Sequence, residues 1–346
     1  PAVQHEGGRT CAAELHDQPC WDAGDRHGQV DEVEELCRVG VHLGVPAARA
    51  ARAAKLLNLV HLSMAVASIP TGLIMKLGRA RSAPLVLHGR KLNQVSVSSV
   101  AELTAAVGNS AVDKILVAAG TYELTSDMCT GSAVCIDRAL TIEAQVPGSV
   151  VLDAKGGRRV FHIQSGGTAE LIGLDITGGS SGGRGGGVLV SSNGAATLTN
   201  TNVYSNQAYY SGGGVFVESG GVANFESCNI HDNAAPYGGG LYIVGTATLT
   251  NTNVYSNQAD WEGGGVFVAS NGVANFEGCD IHDNAASYYG GGLYIYGTAT
   301  LTNTNVYSNK AIYGGGLDIS GTATLINTNV YSNQADVGGG VIVHYD

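Results

Sequence analysis

The sequence predicts an all-β protein: a right-handed parallel β-helix, or β-solenoid, over residues 111–346, preceded by an N-terminal helical cap. Two observations predict it. Gly-Gly-Gly followed by an aliphatic residue starts at Gly185, Gly212, Gly238, Gly263, Gly290, Gly314 and Gly338, at intervals of 24 to 27 residues. Between these triplets run short segments of alternating polarity, such as Thr246-Ala247-Thr248-Leu249-Thr250, with Ala and Leu on one face and Thr on the other. One such coil cannot bury its own apolar face, but stacked copies can, and the pattern implies about ten coils.

In chain order, residues 1–85 form an N-terminal segment with no clear hydrophobic period over its first 45 positions. Arg49, Arg52 and Lys55 then precede an apolar run from Leu56 to Ala67 that ends in Ala-x-Ala, the grammar of a secretory signal. About 20 residues separate Lys55 from Lys76, near the minimum for a membrane span, although Asn58, His61, Pro70 and Gly72 interrupt it. A soluble amphipathic helix is the third reading, and all three stay open for residues 56–75. A membrane is expected only through this segment. Residues 86–110 form the cap: Ser99-Val100-Ala101-Glu102 is a capping box opening a helix that ends near Gly108. A helix there shields the unpaired edge of the first coil. A strand over Lys114–Ala118 and a turn at Gly120-Thr121-Tyr122 follow.

Within the array, Val203, Ile230, Val254, Ile281, Val306 and Val330 align as an inward aliphatic column. Asn206, Asn233, Asn257, Asn284, Asn309 and Asn333 align as a second, whose side-chain amides can bond to their neighbours above and below.

The net charge is −11, and from Gly185 onward eleven acidic residues face a single base, Lys310. Such a surface repels phosphate backbones, so no nucleic-acid partner is expected. It repels polyuronates too unless a divalent cation bridges them; no cofactor is expected, with Ca2+ as the one alternative. None of the seven cysteines forms a C-x-x-C pair. Cys129 and Cys135 bracket a short loop as a disulfide or as two free thiols. Cys228 and Cys279 occupy equivalent positions two coils apart, too far to bond to each other.

Two stretches resemble right-handed parallel β-helix proteins of the pectin-lyase-like superfamily. Ile115-Leu116-Val117-Ala118-Ala119-Gly120-Thr121-Tyr122 is similar to their entry strand. Val150–Ala154, Arg159–Ile163 and Leu171–Gly179 are similar to their first full coils. The triplet repeats resemble those of secreted and polymorphic outer-membrane proteins, although Phe225 is followed three residues later by Cys228 rather than Asn. The resemblance implies an extracellular or cell-surface location. It hosts lyases, hydrolases, epimerases, adhesins and structural proteins alike. No catalytic residue carries over: the array offers Lys310 with no paired Arg, and Asn-Thr-Asp, Arg-Ile-Lys and Asp-Pro-His-Asp are all absent.

Two sets of candidate residues remain. His231-Asp232 and His282-Asp283 replace Tyr-Ser in alternate coils, which places Asp232 and Asp283 about 9–10 Å apart, near the upper limit for an inverting glycosidase pair. Against this, the pairs are copies of a duplicated two-coil unit, and duplication alone explains them. The second set is aromatic: Tyr209, Tyr210, Tyr237, Trp261, Tyr288, Tyr289 and Tyr313 lie just before successive triplets. On one side of a solenoid they form a stripe for stacking on the sugar rings of a polysaccharide or cell-surface glycan, or else a cover over the glycine-rich backbone. The preferred reading is a surface β-helix protein with a binding or structural role toward glycans. The alternative is a polysaccharide lyase, hydrolase or epimerase.

Overall fold

The structure, a computed structural model, describes residues 93–344. The signal, anchor and soluble-helix readings of residues 56–75 lie outside the described residues. Among the described residues, no helix is long and apolar enough to cross a membrane.

The chain opens with β1 (Gln94–Val97), helix α1 (Val100–Gly108) and β2 (Lys114–Val117), with β1 and β2 paired in parallel. Ser99 caps α1 by accepting from the Glu102 N–H. The reciprocal half of the capping box is displaced by one residue: the Glu102 carboxylate accepts from the Ser98 N–H and hydroxyl at 2.7 and 3.1 Å. These bonds hold the carboxyl below its ordinary range. Leu103, Ala106 and Val107 bury the inner face of the helix over the first coil. The turn expected at Gly120-Thr121-Tyr122 is instead a strand, β3 (Gly120–Glu123), and the corner sits at residues 118–119. Tyr122 is buried there, and its hydroxyl donates to the Ala118 carbonyl at 2.9 Å, which ties strand to corner.

From here the chain winds as a parallel β-solenoid. Sheet 1, which includes Thr246–Thr250, has ten strands; sheet 2, which includes Asn202–Tyr204, and sheet 3, which includes Val215–Val217, have nine each; and a short sheet 4, which includes Gln207–Ala208, has five. The count is therefore nine full coils with β1 as an additional edge strand on sheet 1. Every strand pair is parallel and joins a residue to its counterpart one coil on, as Ala247 to Ala274 and Leu249 to Phe276 in sheet 1. The aliphatic column points inward as expected, Val203, Ile230, Val254, Ile281 and Val306 being fully buried. At the corner between sheets 1 and 2, Thr201, Cys228, Thr252, Cys279 and Thr304 form another buried column. Cys228 and Cys279 are both free, and each thiol donates to a carbonyl of the preceding coil, Leu198 or Leu249, at 3.3 Å.

The asparagine column is the most heavily bonded feature of the core. Asn257 donates from Nδ2 to Asn284 Oδ1 at 3.0 Å and to the Ile230 carbonyl at 2.9 Å. Its backbone N–H also donates to Asn284 Oδ1, and its own Oδ1 accepts from the backbone and side chain of Asn233. The same set repeats from Asn206 to Asn333. The residue just before each asparagine, such as Ser256 or Asp232, sits at φ of about +53°. Short polar residues tolerate this left-handed conformation best.

The triplets follow from what lies beneath them. In Gly238-Gly239-Gly240 the first glycine has φ +61°. A side chain on the second would meet the Gln258 carbonyl at 2.4 Å, and one on the third would meet the Gly265 carbonyl at 2.6 Å and Asn257 Nδ2 at 3.0 Å. Backbone strands cross so closely over the asparagine ladder that only hydrogen fits.

A second amide ladder runs outside sheet 2, where Asn229 donates to Asn202 and accepts from Asn253. Inside, replacing Asn257 with Leu strands the Asn233 N–H and the Ile230 carbonyl without water, at about 1–3 kcal/mol per stranded group. Outside, Asn229→Leu exposes its partners to solvent. Chemical denaturation should therefore show Asn257→Leu losing several times the stability that Asn229→Leu loses. Equal losses would mean the inner column is hydrated.

One strand before the end of the outer column of sheet 3, opposite Ile342, stands Asp318, fully buried, with Oδ1 on His344 Nε2 at 2.9 Å and Oδ2 without a partner. Burial pushes its carboxyl above the usual range, with His344 pulling the other way. A carboxyl raised on folding favours the folded state below its ordinary range, and that support is lost as pH rises through the raised value. Asp318→Asn removes the loss, so its stability relative to the parent should improve between pH 4 and pH 7. A constant difference across that window would show that Asp318 does not titrate differently on folding.

Candidate functional site

The coil spacing of about 4.8 Å brings aromatic side chains at equivalent positions into stacking distance. Outside sheet 2, Tyr204, His231, Tyr255, His282, Tyr307 and Tyr331 form one continuous ladder with centroids 4.7–5.1 Å apart and planes within 7° of parallel. Both candidate histidines belong to it. His231 is clasped between Tyr204 and Tyr255, and His282 between Tyr255 and Tyr307. Each imidazole Nδ1 lies 2.7 Å from the carboxylate of the next residue, Asp232 or Asp283. Both aspartates occupy the left-handed corner position, at φ +53° and +52°, that Ser205 and Ser256 fill in neighbouring coils. The two His–Asp pairs are thus separate units with the Tyr255 ring between them. Their sequence signal, alternation with Tyr-Ser, is accounted for by stacking and by corner geometry.

The seven loop aromatics divide by one position of register. Immediately before the triplets, Tyr237, Glu262, Tyr289 and Tyr313 pair in turn across successive coils. These rings turn toward sheet 3. Tyr237 meets Phe267 edge-on at 6.1 Å, and Tyr289 stacks on Tyr313 at 5.1 Å. They extend a second outer ladder of Phe216, Tyr242, Phe267 and Tyr294. One position earlier, Tyr210, Trp261 and Tyr288 point outward and are 57%, 48% and 41% exposed, and Tyr209 beside Tyr210 reaches 68%. The expected single stripe is therefore two rows: an outer one that points to solvent and an inner one that packs toward the outer aromatics of sheet 3. Counting back from the first glycine of each triplet separates them.

The outer row borders sheet 4. Ala208, Ala235, Ala259, Ala286 and Ala311 form the floor of this strip, each at most 8% exposed. Loop length then shapes it. The segment from Asn233 to Gly238 is one residue shorter than the segments Asn206–Gly212 and Asn257–Gly263 on either side. Register shifts accordingly between Ala235 and Tyr237, where Asp260 and Trp261 together oppose Pro236. The extra residue bulges outward and carries Trp261 with it. The short loop between two long ones makes a notch of about 680 Å³, lined by Ser180, Ser181, Gly182, Gln207, Ala208, Tyr209, Tyr210, Pro236, Tyr237, Asp260 and Trp261. Trp261 stacks on Tyr288 at 5.1 Å and 11°, so its opposite face is the one turned to the notch. Asp232 and Asp283 do not line this cleft.

Two further openings lie along the solenoid. One of about 410 Å³ continues the same strip over Ala259, Ala286 and Ala311 toward Lys310 and Asp336. The other, of about 460 Å³, is lined by Asp137, His162, Gln164, Ser165, Ser191, Ser192 and Glu218. Burial, and after it the Arg159 charge, lowers the His162 imidazole below its ordinary range. Arg159 itself is buried, with its guanidinium donating to the Gly185 and Arg184 carbonyls and to the Ser132 and Ser181 hydroxyls.

None of the curated proteins matches the chain. Among solved structures it is similar to the PL6 family alginate lyase AlyGC, at 14% identity over 77% of this chain, with a TM-score of 0.36. It spans 41% of that lyase's length. It is also similar to the A-module of the Azotobacter vinelandii mannuronan C-5 epimerase AlgE6, at 12% identity over 71% of this chain and 93% of the module, with a TM-score of 0.25. A third likeness is to the TibC-glycosylated TibA fragment, at 20% identity over 73% of this chain and 92% of the fragment, with a TM-score of 0.21. The family profile described as right handed beta helix region matches residues 161–346, more than half of the sequence. With its parallel coils and stacked asparagine and aromatic columns, the chain belongs to the right-handed β-helix family.

Proposed function

We propose that this solenoid is an extracellular or surface glycan-binding protein whose main subsite is the notch at Pro236. The observation that carries the reading is the interruption of the outer aromatic row. Tyr210 and Trp261 stand two coils apart, roughly 9–10 Å, and the position between them is Pro236, on the shorter loop. Two ring-to-ring stacking distances fit in such a gap, so one pyranose ring enters between the two aromatics with its faces covered. Between Trp261 and Tyr288, by contrast, the rings stack directly on each other at 5.1 Å and leave no room for a sugar between them. The Ser180 and Ser181 hydroxyls, the Gln207 amide and the Asp260 carboxylate border the notch and suit sugar hydroxyls.

Charge restricts the ligand. Asp260 lines the notch, Glu262 lies beside it, and no Lys or Arg is among the lining residues. A neutral glycan suits the site directly, and an anionic one suits it when Ca2+ bridges the carboxylates. The rings presented here are rigid and already in place, so binding orders little of the protein.

Two substitutions test this from opposite sides. Trp261→Ala removes one wall, and Pro236→Tyr fills the gap with a third ring while leaving both walls standing. On a glycan array followed by titration of the best hit, each should weaken binding severalfold, up to about tenfold, since aromatic pairs contribute about 0.5–1.5 kcal/mol each beyond their buried area. Thermal unfolding should stay within a few degrees of the parent. If Pro236→Tyr folds and binds as the parent does, the notch is not the subsite.

A further inference from the structure

The outer column of sheet 3 begins with Cys135 and then His162, which pair directly across neighbouring strands. Cys135 is joined to Cys129 by a disulfide, with the two Cα atoms 6.1 Å apart. His162 lies against that bond: Nδ1 is 3.7 Å from Cys129 Sγ, and Nε2 is 2.9 Å from Ser191 Oγ. Both sulfurs and an imidazole nitrogen therefore lie within 4.8 Å of one another. All three side chains are partly exposed, and His162 and Ser191 open onto the cleft of about 460 Å³.

We propose that reduction of the Cys129–Cys135 disulfide turns this cluster into a Cys2His site for a zinc-type divalent ion, with its fourth position open to the cleft. Three features support it. The loop is held by hydrogen bonds of its own besides the disulfide. The Ser132 N–H donates to the Cys129 carbonyl at 2.9 Å, the Met128 N–H to Ser132 at 3.0 Å, and the Gly131 N–H to Asp127 at 3.2 Å. Cys135 is fixed in the strand Ser132–Ile136. Opening the S–S bond thus leaves two thiols side by side, at a Cα spacing that accommodates two thiolates about 2.3 Å from one ion. Finally, Nε2 held by Ser191 leaves Nδ1 as the ligating nitrogen, the outer-shell arrangement that orients metal-bound histidines.

The chemistry balances with a dithiol as reductant. Its two thiols supply two electrons and two protons and close into their own disulfide, and Cys129 and Cys135 become thiols. A divalent ion then displaces both thiol protons, which leaves a neutral centre of one cation and two thiolates. Cys228 and Cys279 do not compete: they are buried, and burial pushes each thiol up to about 11.

Co2+ is the probe. The full chain, carrying Cys11→Ser, Cys20→Ser and Cys37→Ser, is reduced with dithiothreitol, desalted anaerobically and titrated with the ion. The expected result is thiolate-to-cobalt charge transfer with visible bands of a tetrahedral centre, saturating at one equivalent and bleached by Zn2+. The oxidised protein should give none, and Cys135→Ser should abolish the bands. His162→Ala should weaken binding by about tenfold or more with unchanged circular dichroism, and Cys228→Ala with Cys279→Ala should leave it intact. A reduced, folded protein without thiolate–cobalt bands would overturn the proposal. So would bands that survive His162→Ala at the same affinity, or that vanish with Cys228 and Cys279.

Discussion

The inner asparagine ladder is the constraint on which the rest of the solenoid depends. Each amide satisfies a backbone N–H, a carbonyl and the next amide at once, at a buried position where an unmade bond is costly. That fixes the position of the chain at the same point in every coil. The triplet glycines follow from it, because the backbone that returns over the ladder passes within side-chain distance of Nδ2 and of the neighbouring carbonyls. The left-handed residue before each asparagine follows as well, since the chain must turn sharply to direct the amide inward. Between the ladder and the triplet the backbone is anchored at both ends. The few residues in that interval are therefore free to vary in number and type without disturbing the strands.

The proposed binding notch lies in that variable interval. A parallel solenoid repeats equivalent side chains at one spacing, and flat rings at that spacing stack on one another, as the ladder from Tyr204 to Tyr331 shows. A complete ladder stabilises the surface but consumes its own faces. An open face requires a break in the series, and a loop one residue shorter supplies one at Pro236. The same reasoning separates the inner row of loop aromatics, packed toward the outer aromatics of sheet 3, from the outer row at the strip of sheet 4.

The coils, the inward aliphatic column and the asparagine ladder were legible because each rests on a strict positional repeat that begins at the triplets. The divided aromatic row was less so, since side-chain direction depends on counting to one residue through loops of unequal length. Gly120-Thr121-Tyr122 read as a turn because of its glycine. The tertiary burial of Tyr122, invisible locally, makes it a strand. His231 and His282 stood out as chemistry because they differ from tyrosine, and it is the flat ring they share with tyrosine that stacking selects. The grouping of His162 with Cys129 and Cys135 had no sequence signal, because the residues lie on neighbouring coils and outside the regular triplets.

The ladder's role is tested most directly by amide hydrogen exchange at the backbone N–H groups of Asn206, Asn233, Asn257, Asn284 and Asn309. Each of these donates to a side-chain oxygen one coil away rather than to a strand partner. If the amides hold the coils in place, these protons exchange as slowly as the central strands and only through global unfolding. Exchange at the rate of the outer loops around Tyr209 and Asp260 would contradict the account, since the ladder would then open locally without cost to the fold.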